Sequence, residues 1–174
     1  MSLHDDLFGE LLSRKGINVN VKGAGNERAL AHALTAWSGA EWVRVPRSGG
    51  LRWRNRSEIV GDVISTNPDY RHFVVEAKFY KAYAISEQLR ANSVFFTKFK
   101  QAKGDAKAVG KVPLLFMRMN SMPASTWHLA FSTEHISIAH IRIMPIAEGE
   151  HLLIYDSAQF FEHITYEDLS KSIL

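Results

Sequence analysis

Gly61-Asp62-Val63-Ile64, followed after a short loop by Val74-Val75-Glu76-Ala77-Lys78, sets two carboxylates and one ammonium on two neighbouring apolar segments. Val60 to Ser65 and His72 to Phe79 are short runs rich in β-branched and aromatic residues. Thr66-Asn67-Pro68-Asp69-Tyr70 between them has turn composition, so the stretch predicts a β-hairpin. Side chains alternate along a strand, which puts Glu76 and Lys78 on one face and Phe73, Val75, Ala77 and Phe79 on the other, toward a core. Asp62, on the partner strand, can reach the face of Glu76. A carboxylate inside an apolar strand is costly unless something positive meets it, and a divalent cation held by Asp62 and Glu76 would meet that need.

The flanks extend the pattern. Upstream, Gly25 to Leu34 predicts a helix with Asn26 as its cap, Glu27 in its first turn, and Ala29, Leu30, Ala33, Leu34 and Trp37 on one face. A glutamate so placed also suits the helix dipole. Glu41-Trp42-Val43-Arg44-Val45 predicts a strand, and Pro46-Arg47-Ser48-Gly49-Gly50 has ordinary loop composition. Downstream, Asn92-Ser93 is expected to cap a helix through Phe95, Phe96, Phe99, Ala102 and Ala106, with Lys98, Lys100, Gln101, Lys103 and Lys107 around the rest of its surface. That helix should end near Gly110, and Lys111 to Arg118 predicts a further apolar strand.

Asp62 followed by Glu76-x-Lys78 at the end of an apolar strand resembles the signature of the PD-(D/E)XK nuclease superfamily. Gly61 stands where the proline of that name would be. The wider order (a helix with a leading glutamate, a strand, a basic Ser-Gly-Gly loop, an Asp strand, a Glu-x-Lys strand) is similar to the Holliday-junction resolvases of archaea and some phages. The resemblance covers residues 23 to 120 and implies an α/β, restriction-endonuclease-like core: a central mixed β-sheet flanked by helices, in the order αβββαβ. It further implies Mg²⁺, replaceable by Mn²⁺, held by Asp62, Glu76, the backbone carbonyl of Ala77 and Glu27. Lys78 would assist the attacking water, Ser48 would lie near the scissile phosphate, and Gln101 would lie near the metal. Outside that resemblance, Glu-x-Lys equally suits a surface cross-strand ion pair, and Gln101 a solvated helix position.

Net charge is only +3 in 174 residues, but it is unevenly spread. Residues 1 to 43 carry four basic and five acidic side chains, residues 44 to 118 fifteen and six, and residues 119 to 174 two and seven, giving −1, +9 and −5. Arg44, Arg47, Arg52, Arg54 and Arg56 crowd the loop before Asp62, interleaved with Trp53, and Lys98 belongs to the lysine series that follows Glu76. Such a patch suits a DNA backbone and salt-dependent binding. A four-way junction has two-fold symmetry, so a resolvase is expected to be a homodimer. A duplex-, flap- or end-cutting nuclease of the same superfamily and a catalytically silent DNA-binding module are the competing readings.

A hydrophobic content of 46% supports one domain with a real core. The expected division is an N-terminal arm over 1–22, a nuclease core over 23–120, and C-terminal strands and helices over 121–174 that extend the same domain. No apolar run approaches the ~20 residues of a membrane span, the N-terminus lacks signal-peptide character, and cysteine is absent, all in keeping with a cytoplasmic protein. In the last third, Trp127 to Phe131, Ile136 to Ile143 and Leu152 to Tyr155 predict strands, Ser157 to His163 a short helix, and Thr165 a cap for a final helix. His135 and His140, five apart on the expected strand, would face opposite sides, and no histidine has metal-ligand spacing. P-loop and Gly-x-Ser-x-Gly patterns are also absent, which leaves ATP-driven and serine-hydrolase chemistry without support.

Overall fold

The computed structural model describes residues 19–46, 59–87, 90, 93–149 and 151–174. Continuous apolar runs build the centre of the sheet, as parallel strands covered on both faces require. β3 (Phe73–Tyr80) and β4 (Val112–Met119) run parallel, in register from Phe73 opposite Val112 to Tyr80 opposite Met119. Parallel neighbours need a long crossover, and α2 (Val94–Ala108) lies within it. Ser93 starts that helix by accepting a 3.0 Å hydrogen bond from the Phe96 amide. Antiparallel strands complete both sides: β2 (Val63–Ser65) on β3, β1 (Trp42–Arg44) on β2, β5 (His128–Ser132) on β4, β7 (Leu152–Asp156) on β5 and β6 (Ala147–Glu148) on β7. The result is one mixed seven-stranded sheet in the order β1-β2-β3-β4-β5-β7-β6, so the last third of the chain continues the sheet of the core.

Strand alternation divides the interior into two layers. Phe73, Val75 and Ala77 of β3, with Leu114 and Phe116 of β4, face α1 (Val19–Ser38), α3 (Ser157–His163) and α4 (Tyr166–Lys171) through Leu30, Leu34, Phe160 and Leu169. Leu115, Met117, Ala130 and Ile154 face α2 through Phe95 and Phe99. Burial of each large side chain contributes about 1.5–3 kcal/mol. The α/β core expected from the sequence is therefore present. The hairpin is present too, closed by a 3-10 turn at Pro68–Tyr70 that Asn67 caps. At the C-terminal end, Thr165 and Asp168 form a reciprocal capping box.

Three local expectations are corrected. α1 begins at Val19, so Asn26 is no cap and Glu27 does not sit in a first turn. Asn26 is buried instead, and its Oδ1 accepts a 2.9 Å hydrogen bond from Trp127 Nε1; a distant partner has replaced the local backbone amides. The helix runs through Gly23 and Gly25 despite a cost of about 1 kcal/mol for each. Ile136 to Ile143 is not a strand: Ile136 makes a single bridge to Ile173, and Ser137 caps a 3-10 turn over Ile138–His140. Local bonds from the Ala139 amide to Ser137 Oγ and from the Ile141 amide to the Ile138 carbonyl take up groups a ladder would have used. His135 and His140 consequently do not lie on a strand. Residues 1–18 of the expected N-terminal arm lie outside the described residues.

Candidate active site

Val63 lies opposite Val75 in the antiparallel pair, which brings Asp62 across from Glu76 at the mouth of the hairpin. Val63 and Val75 point into the α1 layer, so Asp62 and Glu76 share the opposite face. The Asp62 amide donates to the Val75 carbonyl at 2.8 Å, and the Val45 amide donates to the Asp62 carbonyl at 2.9 Å, fixing the residue between its neighbours. Gly61 makes the approach feasible. Its φ is +101°, and a Cβ there would stand 2.8 Å from the Val75 carbonyl oxygen and 3.2 Å from its nitrogen. Proline cannot adopt that φ, so the backbone at Gly61 excludes the proline of the motif's name.

Both carboxylates are buried, Asp62 to 2% exposure and Glu76 to 7%. The Ala77 amide donates to Asp62 Oδ2 at 3.0 Å. Lys78 Nζ bridges the pair, 2.9 Å from Asp62 Oδ2 and 2.6 Å from Glu76 Oε2. Burial, joined by the Asp62 charge, raises the Glu76 carboxyl from its ordinary 4.5 to about 7 despite the ammonium beside it. Burial alone would lower Lys78, but its bonds to Asp62 and Glu76 together outweigh that and raise it, so Nζ keeps its proton at neutral pH. An acid pair in this state has a strong demand for positive charge, and Lys78 is its resident counter-ion.

These groups open onto a cleft of about 460 Å³ lined by Gly61, Asp62, Glu76, Lys78, Phe79, Tyr80, Lys98 and Gln101. The site therefore unites Asp62, Glu76 and Lys78 from the hairpin with Lys98 and Gln101 from α2, where Lys98 Nζ lies 3.4 Å from Gln101 Oε1. Glu27 is not part of that wall; its carboxylate is ion-paired with Arg44 of β1. Arg44, expected at a DNA backbone, is thus engaged by Glu27 while its side chain stays partly exposed. Ser48, Arg47, Arg52, Arg54 and Arg56 lie outside the described residues. Phe79, expected toward the core, lines this wall instead, together with Tyr80. Alternation from Glu76 and Lys78 already marked position 80 as facing the same way.

A mixed sheet that carries an Asp, a Glu-x-Lys and a polar cleft at one hairpin defines a nuclease of the PD-(D/E)XK class. The chain belongs to the family described as "Phage putative PDDEXK endonuclease", whose profile matches residues 18–169. Among solved structures, the chain is similar to Hjc of Archaeoglobus fulgidus, a Holliday junction resolvase from an archaeal hyperthermophile. Identity is 15%, with 88% of this chain and 98% of that chain covered at a TM-score of 0.39. No curated protein sequence matches the chain. Among the described residues, no helix is long and apolar enough to cross a membrane.

Proposed function

We propose that this endonuclease is Mg²⁺-dependent and hydrolyses phosphodiester bonds of branched DNA, with four-way junctions as its substrate. The observation that carries the metal requirement is the buried Asp62–Glu76 pair clamped on one ammonium beside an open polar cleft. Among the described residues no group of three His, Cys, Asp or Glu side chains could hold a metal. Two carboxylates are nonetheless a fitting donor set for Mg²⁺, which takes one or two of them and completes its octahedron with water and phosphate oxygens. Asp62 and Glu76 would hold the ion, with the Ala77 carbonyl adjacent; Mn²⁺ prefers the same oxygen donors. When bound, the ion supplies positive charge against the phosphate and acidifies water.

The remaining steps fall to the chain. Asp62 is pre-oriented by the Ala77 amide, and Glu76 by its place in β3. With a cation held by Asp62 and Glu76, Lys78 Nζ, which carries its proton, would be free to donate to a phosphate oxygen rather than abstract a proton from water. Lys98 and Gln101, which line the same cleft from α2, would offer donors to the flanking backbone. The junction preference rests on the order of the Asp strand and the Glu-x-Lys strand, which resembles that of the resolvases, and the homodimer on the two-fold symmetry of such a substrate.

Incubation of the protein with a labelled immobile four-way junction and a matched linear duplex, each in Mg²⁺ and in EDTA, tests this reading. Paired symmetric nicks on the junction alone, absent in EDTA, are expected. Equal cutting of both substrates would remove the junction preference and leave the nuclease, and binding without cutting in Mg²⁺ would leave only a DNA-binding module.

A further inference from the structure

β3 carries Glu76, Lys78 and Tyr80 at alternate positions, so the three side chains share one face, and all three line the cleft. Consecutive members stand about 6.7 Å apart at the usual strand rise, on the scale of one nucleotide step. The Tyr80 ring packs against the cluster of Phe95, Phe99, Leu115 and Met117. It meets Tyr83 edge to face, with centroids 6.3 Å apart and planes at 87°. Tyr83 is itself anchored: its hydroxyl lies 2.7 Å from His128 Nδ1 and 3.1 Å from the Met117 carbonyl, and its ring is edge-on to Phe95. The Tyr83 hydroxyl is therefore committed to the protein. That of Tyr80 has no hydrogen-bond partner among the described residues, and Tyr80 shares the cleft wall with Lys78.

A half-buried aromatic ring packed against the core, with an O–H uncommitted among the described residues, in the wall of a cleft that also carries Lys78 and Lys98, is equipped to meet an anionic oxygen. We propose that Tyr80 is a substrate-binding residue whose hydroxyl donates a hydrogen bond to a non-bridging oxygen of the phosphodiester next to the one cut, with Tyr83 as the positioning residue that fixes its ring. The acceptor is backbone phosphate, so the contact aligns the strand without reading sequence. This inference rests on the nuclease reading above.

Tyr80→Phe keeps the ring and its packing and removes only the hydroxyl; Tyr83→Phe frees the support. KM and kcat on a fluorescent DNA substrate in Mg²⁺, with Tm measured in parallel, separate the roles. A hydrogen bond to a charged acceptor is strong enough that Tyr80→Phe should raise KM about 10-fold or more, with kcat within about twofold and Tm unchanged. Tyr83→Phe should shift KM the same way by a smaller factor, with a lower Tm. If the wild type cuts DNA and Tyr80→Phe retains its KM, the Tyr80 assignment is overturned and the nuclease reading stands. A joint fall of kcat and Tm in Tyr80→Phe would make the residue structural and overturn it as well. A wild type that cuts no DNA in Mg²⁺ overturns both.

Discussion

Replacing Lys78 with Met preserves the length of the side chain and deletes the charge that joins Asp62 to Glu76 at 2.9 and 2.6 Å. Two carboxylates, each less than a tenth exposed, are then left facing one another without a counter-charge. Breaking a buried pair in this way costs about 3–5 kcal/mol when the remaining charge cannot be neutralised. Neutralisation is available here, because Glu76 already titrates at about 7 and loses with Lys78 the partner that lowers it. The penalty should therefore grow as pH rises from about 6, where Glu76 takes up a proton, toward about 8.5. For a chain of this length, ~3 kcal/mol lowers Tm by roughly 6–12 °C and the urea midpoint by about 1–2 M. Urea unfolding at both pH values in EDTA measures it, and calorimetric titration with Mg²⁺ supplies the second readout. Loss of the competing ammonium should tighten Mg²⁺ binding and restore much of the lost stability, while cleavage falls. A variant as stable as the wild type at the higher pH, or one with weaker Mg²⁺ affinity, would refute the view of Lys78 as resident counter-ion.

Glu76 also sets a pH dependence in the wild type: its carboxyl is raised, so the stability it contributes is present below 4.5 and lost as pH climbs to about 7. Metal-free protein should lose stability across that window, whereas Mg²⁺ affinity, which requires the ionised form, should rise through it; a flat Mg²⁺ affinity would contradict the assignment. Gly61→Ala places a Cβ against the Val75 carbonyl at a φ of +101°, a backbone cost of about 1–2 kcal/mol before any steric term. Displacement of Asp62 should follow, seen as weaker Mg²⁺ binding in a protein that still folds by circular dichroism. Lys98→Ala, at the cleft wall, should weaken DNA binding and reduce the slope of log affinity against log salt by about 1 unit, without changing Mg²⁺ affinity.

Hairpin and acid pair were legible in the sequence because period-two alternation places Glu76 and Lys78 together and the turn at Asn67-Pro68 returns the Asp62 strand beside them, in a register of Val63 opposite Val75. The α2–β4 crossover was legible for a similar reason, since Phe95, Phe99, Ala102 and Ala106 are spaced for one helix face. What escaped depends on partners far apart in the chain. Asn26 looked like a cap because its true partner, Trp127 Nε1, lies 101 residues away. Ile136 to Ile143 has strand composition, but its apolar residues are divided between burial at Ile136 and Ile141 and exposure at Ile138. Glu27 could be placed on a helix but not paired with Arg44, because that pairing depends on how α1 lies across β1. Gly61 looked like a lost proline until the 2.8 Å approach to β3 showed why only glycine fits.

On the proposed mechanism Asp62 and Glu76 hold the cation that cuts while other residues hold the DNA. Asp62→Asn and Glu76→Gln, assayed side by side for cleavage in Mg²⁺, DNA affinity and Mg²⁺ affinity, test it most directly. Loss of several kcal/mol of transition-state stabilisation corresponds to a rate loss of roughly 1000-fold or more. The account predicts that loss in both variants, together with weakened Mg²⁺ binding, near-wild-type DNA affinity and a folded protein. Cleavage that survives either substitution, or DNA binding lost in both, would contradict it.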